Sequence, residues 1–199
     1  MVRKKTGILY KGMAAAVIFS LLLPMGMASA ENLREGERIE TEEELRTAVE
    51  AAGNGETILR IGADLTIIAP VTIRSGQNIT LMDDGSPRTL VQKIGYGDQA
   101  FFSIEEGGYL TLTTSDGNDN QLILDSAENS RGGYVDCSGR FVLEYGMLKN
   151  NDYDTAFSGT INIEGENADF IMSGGRITGN QYDNQYGGII RIAEGADLR

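Results

Sequence analysis

The chain has 199 residues and a formal net charge of −12, from 17 Lys and Arg against 29 Asp and Glu. Such an acidic surface repels nucleic acid and anionic lipid, and it either attracts cations or basic partners or serves solubility alone. The sequence has no histidine and one cysteine, Cys137, so imidazole chemistry and an internal disulfide are both excluded.

The first thirty residues have the three-part layout of a secretory signal peptide. A basic start at 3–11 precedes an apolar run at 13–23, and Ala28-Ser29-Ala30 forms a small-residue cleavage site. The alternative is an uncleaved membrane anchor, but the run is shorter than the roughly 20 residues that a spanning helix needs. We therefore expect residues 1–30 to be removed. The mature chain would then hold 17 − 4 = 13 basic and 29 acidic residues, a net charge of −16.

A leader and one helix are predicted next. Residues 31–40 are charged and lack apolar periodicity, which indicates a short leader. A helix is predicted over 41–53, because Thr41 and Glu44 form a capping box and apolar residues follow at helical spacing. Gly53 stands where a left-handed C-terminal residue is favoured. Since one helix is too small to be a domain, we expect it to cap the exposed end of the structure that follows. Its apolar residues are Leu45, Ala48, Val49 and Ala52.

Residues 54–199 predict an all-β domain. Short runs rich in Ile, Leu, Val, Thr and Phe alternate with Gly, Asn, Asp and Ser, as strands and turns do. The runs fall into three series, each advancing by about thirty residues, which is typical of a coil of three strands wound around one axis. The parallel-crossover bias makes that coil a right-handed parallel β-helix. The series are Ile79, Leu110, Phe141, Phe170 and Leu198; Val71, Phe102, Val135, Ile161 and Ile190; and Leu59, Leu90, Ile123, Leu148 and Ile177.

A repeat at an offset of 29 residues supports this fold over its competitors. Phe141 matches Phe170, and Asn151 matches Asn180, a pair predicted to form a structural ladder. A sandwich or an up-and-down barrel does not require segments of constant length with the same residues at equivalent positions. Leu198 begins a new strand of the first series and the sequence stops at Arg199, so we expect an uncapped C-terminal end. That end favours an N-terminal piece of a longer protein or a truncated product over assembly with a partner chain.

The repeats resemble the right-handed parallel β-helix of the pectate-lyase-like superfamily, including bacterial surface proteins built on it. The residues that carry this are 172–180 (MSGGRITGN) and 187–190 (GGII). They are similar to the GG-[AIL]-[IL] and F-x-x-N repeats of polymorphic outer-membrane adhesins, with Ile177 and Leu148 in place of Phe. The resemblance implies a bacterial secreted or cell-surface module with a structural or adhesive role. A polysaccharide lyase or glycoside hydrolase on the same fold is the alternative.

A Tyr-Asp pair recurs at one phase of the repeat and is the predicted ligand-binding stripe. Aromatic faces stack on sugar rings and carboxylates accept hydroxyl hydrogen bonds, so a glycan or a host or cell-surface protein is the expected partner. Nucleic acid is not expected, and membrane contact is expected only through the signal peptide. The alternative is that the tyrosines stack on each other and the aspartates are simply solvated. The stripe consists of Tyr153, Asp154, Tyr182, Asp183 and Tyr186.

Two acidic segments are candidate metal sites. Asp116, Asn118 and Asn120 have the D-x-N-x-N spacing that opens an EF-hand loop, but Gln121 and Ala127 replace its Gly and bidentate Glu. A looser calcium site and a solvated turn are both open interpretations.

The second segment is Asp83-Asp84-Gly85, which with Asp98 could supply calcium ligands of the polysaccharide-lyase type. Such a lyase also needs a cationic base, for which Arg74, Arg88 and Lys93 are available, although no spacing links them to the aspartates. Ordinary turn residues are the alternative. Because no complete catalytic signature is present, we assign no catalytic residue.

Overall fold

The structure is a computed structural model that describes residues 35–93, 99–126, 133–150, 152–153, 160–182 and 188–199. Within these residues the chain forms one helix and nineteen strands, of which seventeen form three stacked parallel sheets. We call these the first, second and third sheets, in the order in which the chain visits them.

The first sheet has seven strands, added in chain order along the stack. They are β1 (Glu35–Ile39), β2 (Glu56–Ile61), β5 (Asn78–Asp83), β8 (Tyr109–Leu112), β11 (Arg140–Leu143), β15 (Asp169–Met172) and β19 (Asp197–Leu198). The second sheet consists of β3 (Leu65–Ile67), β6 (Arg88–Gln92), β9 (Leu122–Asp125), β12 (Met147–Lys149) and β16 (Arg176–Thr178).

The third sheet has five strands, and a fourth sheet pairs two short ones. The third consists of β4 (Val71–Ile73), β7 (Phe102–Ile104), β10 (Val135–Cys137), β14 (Ile161–Ile163) and β18 (Ile190–Ile192). The short pair is β13 (Asp152–Tyr153) and β17 (Gln181–Tyr182). Each circuit of the three sheets places the chain one rung further along, and every strand pair is parallel. This is the arrangement expected of a parallel β-helix.

Alternation along each strand builds the core. In a strand such as Val71-Thr72-Ile73 the outer two residues are buried and the middle one is half-buried, because successive side chains point to opposite faces. Phe141 and Phe170 pair in register, and their rings stack 5.3 Å apart with planes only 9° from parallel. When successive coils have the same residue at an inward position, the two side chains therefore lie directly on top of each other.

The strand register confirms two of the three predicted series in full. In the first sheet Ile79, Leu110, Phe141, Phe170 and Leu198 pair in sequence, and in the third sheet Val71, Phe102, Val135, Ile161 and Ile190 do the same.

The third predicted series is wrong at two positions. Leu59 lies in the first sheet opposite Leu81, and the residue that pairs with Leu90 in the second sheet is Leu65. The first complete circuit is only 22 residues long, from Thr57 to its partner Ile79, so a uniform step of about thirty misplaced it. Ile123 is displaced by one residue, since Leu124 is the buried partner of Leu148. A one-residue slip moves a side chain to the opposite face of the sheet.

The predicted leader and helix need smaller corrections. Strand β1 lies inside the segment 31–40 and pairs with β2, although its sequence lacks an apolar pattern. Helix α1 (Glu42–Ala51) begins with the predicted capping box of Thr41 and Glu44. It does not end on a left-handed Gly53. Ala52 is extended, with φ −62° and ψ 131°, and Gly53 is not among the residues with positive φ.

Helix α1 lies against β1, β3 and β4, at the end of the stack where the second and third sheets begin. Its inward residues Leu45, Ala48 and Val49 are buried. Arg46 donates to the carbonyl oxygens of Ala69 and Pro70, and the Glu42 carboxylate accepts from the N–H of Ile68. The helix therefore supplies partners to backbone groups of the segment that joins β3 to β4.

Candidate functional site

Two members of the predicted Tyr-Asp stripe occupy neighbouring rungs. Tyr153 pairs with Tyr182, and Asp152 pairs with Gln181, across β13 and β17. The two tyrosines therefore stand at the same phase of consecutive coils, as the repeat predicts. Asp154, Asp183 and Tyr186 lie outside the described residues. Ligand binding by the stripe stays a prediction.

The loop at 116–121 uses its polar side chains internally. The Asp116 carboxylate accepts from Asn118 N at 2.9 Å and from Gln121 Nε2 at 3.2 Å. The Asn118 side-chain oxygen accepts from the backbone and side-chain nitrogens of Asn120, at 3.0 and 3.2 Å. These are the contacts of consecutive Asx turns. In the part of the chain described, no group of three or more Asp, Glu, Cys or His is arranged to hold a metal ion. Calcium binding by Asp116, Asn118 and Asn120 stays a prediction.

Asp83 and Asp84 do not converge on one point. Asp83 is fully buried and accepts hydrogen bonds from Gly85 N at 2.8 Å, Ser115 N at 2.8 Å and Ser115 Oγ at 2.5 Å. Asp84 is paired with Arg88, at 2.9 Å, and with Arg38, at 3.0 Å. The hydrogen bond from Arg88 lowers the pKa of the Asp84 carboxyl. Asp98 lies outside the described residues. Both aspartates therefore have structural partners.

A surface notch interrupts the stack where one turn is short. The turns that lead from the third sheet back to the first have four residues at 74–77, 105–108 and 193–196 and five at 164–168. Between β10 and β11 the turn has only two, Ser138 and Gly139. The turns on the neighbouring rungs therefore project past it on both sides.

The short turn lies directly on the coil before it. A Cβ added to Gly139 would lie 2.3 Å from the carbonyl oxygen of Gly108 and 2.4 Å from that of Glu105, which no real side chain tolerates. The space left above the turn forms two adjoining depressions of about 340 and 250 Å³ that share Glu106 and Asn167. We call the two depressions together the notch.

The two halves of the notch differ in charge. The larger half is lined by Glu106, Ser138, Glu164, Glu166 and Asn167, and is acidic. The smaller half adds Tyr109 and Arg140 together with the backbone of three glycines. Asn167 Nδ2 donates to Glu106 Oε1 at 3.3 Å, so these side chains meet across the short turn from rungs on either side of it.

Arg140 and Tyr109 are held in place by their neighbours. Arg140 donates to Asp169 Oδ2 from Nε at 3.0 Å and from Nη2 at 2.6 Å, and its guanidinium lies over the Tyr109 ring, 5.4 Å from the ring centre. The three residues are consecutive members of one column on the outer face of the first sheet. The sequence did not predict the notch. The available signal was the spacing of three residues between Cys137 and Arg140, where the preceding coils have five.

A second polar column lies beside the notch, on the outer face of the third sheet. Asp136, Asn162 and Arg191 pair in register, and Arg191 donates to Asn162 Oδ1 at 2.6 Å and contacts Glu164. Burial raises the pKa of the Asp136 carboxyl, partly offset by its hydrogen bond with Asn162. Arg191 therefore compensates part of the negative charge that Glu164 brings to the notch.

No protein-family model, no curated protein and no solved structure matches this chain. The likeness to the pectate-lyase-like superfamily and to outer-membrane adhesins therefore stays a prediction from the sequence. Among the described residues, no helix has the length and apolar character needed to cross a membrane.

Proposed function

We propose that this chain is a secreted or cell-surface module with a structural or adhesive role, and that its turns contact glycans. The observation that carries the proposal is the in-register stack. Equivalent inward residues repeat from rung to rung, whereas the turns differ in length and exposed polar and aromatic side chains lie in the turns and on the outer faces of the strands. Such a scaffold holds a series of turn residues at fixed spacing. Its finer assignment is a right-handed coil of the pectate-lyase-like kind.

Export is the second part of the proposal, and it comes from the signal-peptide layout of residues 1–30. In a Gram-positive host expressing the full chain, the protein should be found outside the cytoplasm. Mass spectrometry of its N-terminus should show Glu31, the residue that follows Ala28-Ser29-Ala30. A cytoplasmic protein that retains Met1 would contradict export.

Glycan contact is tested on the mature chain, residues 31–199, with a panel of immobilised oligosaccharides and polysaccharides. The proposal expects saturable binding of at least one saccharide, which the protein should leave uncleaved. The same samples should be assayed for unsaturated products and reducing ends, with calcium present. Product formation would replace the adhesive role with the lyase or hydrolase alternative, and absence of binding across the panel would contradict glycan contact.

The predicted stripe has a matched test of its own. The double substitution Tyr153→Ala and Tyr182→Ala removes the two aromatic side chains at one phase of consecutive coils. Tyr145→Ala is the control, because Tyr145 is an exposed tyrosine in the turn between β11 and β12, outside the two strands that hold the stripe. If the stripe is the contact surface, the double variant loses binding and the control keeps it.

A further inference from the structure

The notch, defined by the two-residue turn at Ser138 and Gly139, has the features of a binding site and not only of a surface irregularity. Its walls come from turns on two other rungs, so residues 105–109 and 164–168 face each other across a gap. Three glycines line its smaller half, so backbone groups form part of its surface. Together the two depressions fall within the usual size range of ligand sites.

The side chains of the smaller half fit a ligand with several hydroxyl groups better than a ligand with one charged group. Glu106 supplies a carboxylate acceptor, Asn167 an amide that can both donate and accept, and Arg140 a guanidinium donor. Tyr109 adds an aromatic ring with 41% of its surface exposed. A saccharide has matching groups, since it presents adjacent hydroxyls on a ring with an apolar face.

Each of these groups already has a protein partner in the free chain. Asp169 holds the Arg140 guanidinium, which in turn lies over the Tyr109 ring, and Asn167 is bonded to Glu106. Side chains that are ordered in the free protein lose less conformational freedom on binding, which favours affinity.

We infer that the notch binds a neutral saccharide unit, with Glu106, Tyr109, Arg140 and Asn167 as the contacting residues. The inference rests on the proposed glycan contact and names its site. Uronic acid saccharides are disfavoured, because Glu106, Glu164 and Glu166 line the larger half and would repel the carboxylate of the sugar. A purely cationic ligand is disfavoured in the smaller half by Arg140.

The test measures binding of cellohexaose, xylohexaose, chitohexaose and trigalacturonic acid to the mature chain by titration calorimetry. At least one neutral oligosaccharide should bind, and trigalacturonic acid should bind more weakly. Asn167→Ala and Tyr109→Ala should each weaken the neutral ligand by about tenfold, the loss expected for a central contact. Both residues are exposed, so neither substitution opens a cavity in the core.

Two controls match these variants. Tyr145→Ala removes a tyrosine of almost equal exposure, 42% against 41%, from a turn away from the notch. Asn118→Ala removes an exposed amide from the 116–121 loop. Both should leave the affinity within about twofold of the unsubstituted chain. Circular dichroism and thermal melting of all four variants confirm that each is folded.

The possible outcomes separate the inference from the proposed function. If a saccharide binds and only the Tyr153→Ala, Tyr182→Ala variant loses it, the notch is overturned and glycan contact stands. If trigalacturonic acid binds best, the neutral-ligand assignment is overturned. If no saccharide binds but a lysine oligomer does, and Glu164→Gln abolishes that binding, both proposals fail and the notch is a site for basic partners.

Discussion

At the scale of single residues, the acidic side chains of this chain divide into structural and surface groups. Asp83 was a candidate metal ligand in the sequence, yet the structure buries it completely under three hydrogen-bond donors. One of its partners, Ser115, belongs to the turn on the next rung, so the carboxylate connects successive turns. A buried carboxylate with satisfied oxygens is costly to remove, because its donors lose their partner.

Replacement of Asp83 by Ala should therefore lower the free energy of unfolding by about 1–3 kcal/mol, since it leaves the amides of Gly85 and Ser115 unsatisfied. Urea titration followed by circular dichroism measures this. Asp116→Ala is the control, because its carboxylate also accepts hydrogen bonds but lies in an exposed loop where water can replace it, so it should cost no more than about 1 kcal/mol. Equal effects at the two sites would show that the Asp83 contacts are not structural.

Because of Cys137, the free energy of unfolding should fall as the pH rises above about 9. Burial raises the pKa of its thiol from 9.0 to about 12, so the unfolded chain ionises before the folded one. The contribution of the buried, protonated thiol to the free energy of unfolding is therefore complete below pH 9 and is lost between pH 9 and 12. In that window the native chain should lose up to about 1.4 kcal/mol per pH unit more than Cys137→Ala does.

The comparison is made by urea titration of both proteins at pH 8, 9, 10 and 11. Burial also raises the pKa of Tyr134, but that residue is present in both proteins and cancels in their difference. Parallel loss of stability in the two proteins would contradict a buried, protonated thiol.

At the scale of elements, most strands were predictable from the sequence and the lengths of the turns were not. Every member of the third-sheet series was predicted correctly, because a pattern such as Val-x-Ile places two inward residues on one short strand. Strand β1 was missed because Glu35–Ile39 has no apolar alternation, and its edge position does not require one. The notch was missed because averaging the repeat to about thirty residues conceals a turn that is two residues short.

Glycine at position 139 should be required by that short turn. Gly139→Ala should cost about 1–3 kcal/mol or prevent folding, because the added methyl meets the carbonyl oxygens of Glu105 and Gly108. Gly55→Ala is the matched control. A Cβ at Gly55 would meet nothing within 4 Å, so this substitution should be neutral or stabilise by up to about 1 kcal/mol. Thermal melting of both variants measures the difference, and a tolerated Gly139→Ala would contradict the close stacking of the short turn.

At the scale of the whole molecule, the repeat in the sequence corresponds to the successive coils of the stacked sheets. Helix α1 covers the end where the second and third sheets begin. At the other end the burial of the core decreases along each column. Phe170 is fully buried, whereas Leu198 on the next rung is 53% exposed. The coil is thus a linear array in which each rung is stabilised by its neighbours.

The rung order itself is tested most directly by a distance between spin labels. Ile58, Thr80, Thr111, Val142 and Ile171 pair in sequence on the outer face of the first sheet. Four rungs at 4.7–4.9 Å place the backbones of Ile58 and Ile171 about 19 Å apart. Nitroxides at Ile58→Cys and Ile171→Cys, in a Cys137→Ala background, should give one narrow distance distribution near that value in a double electron–electron resonance experiment. A broad distribution, or one centred beyond about 30 Å, would contradict the stacked parallel sheets.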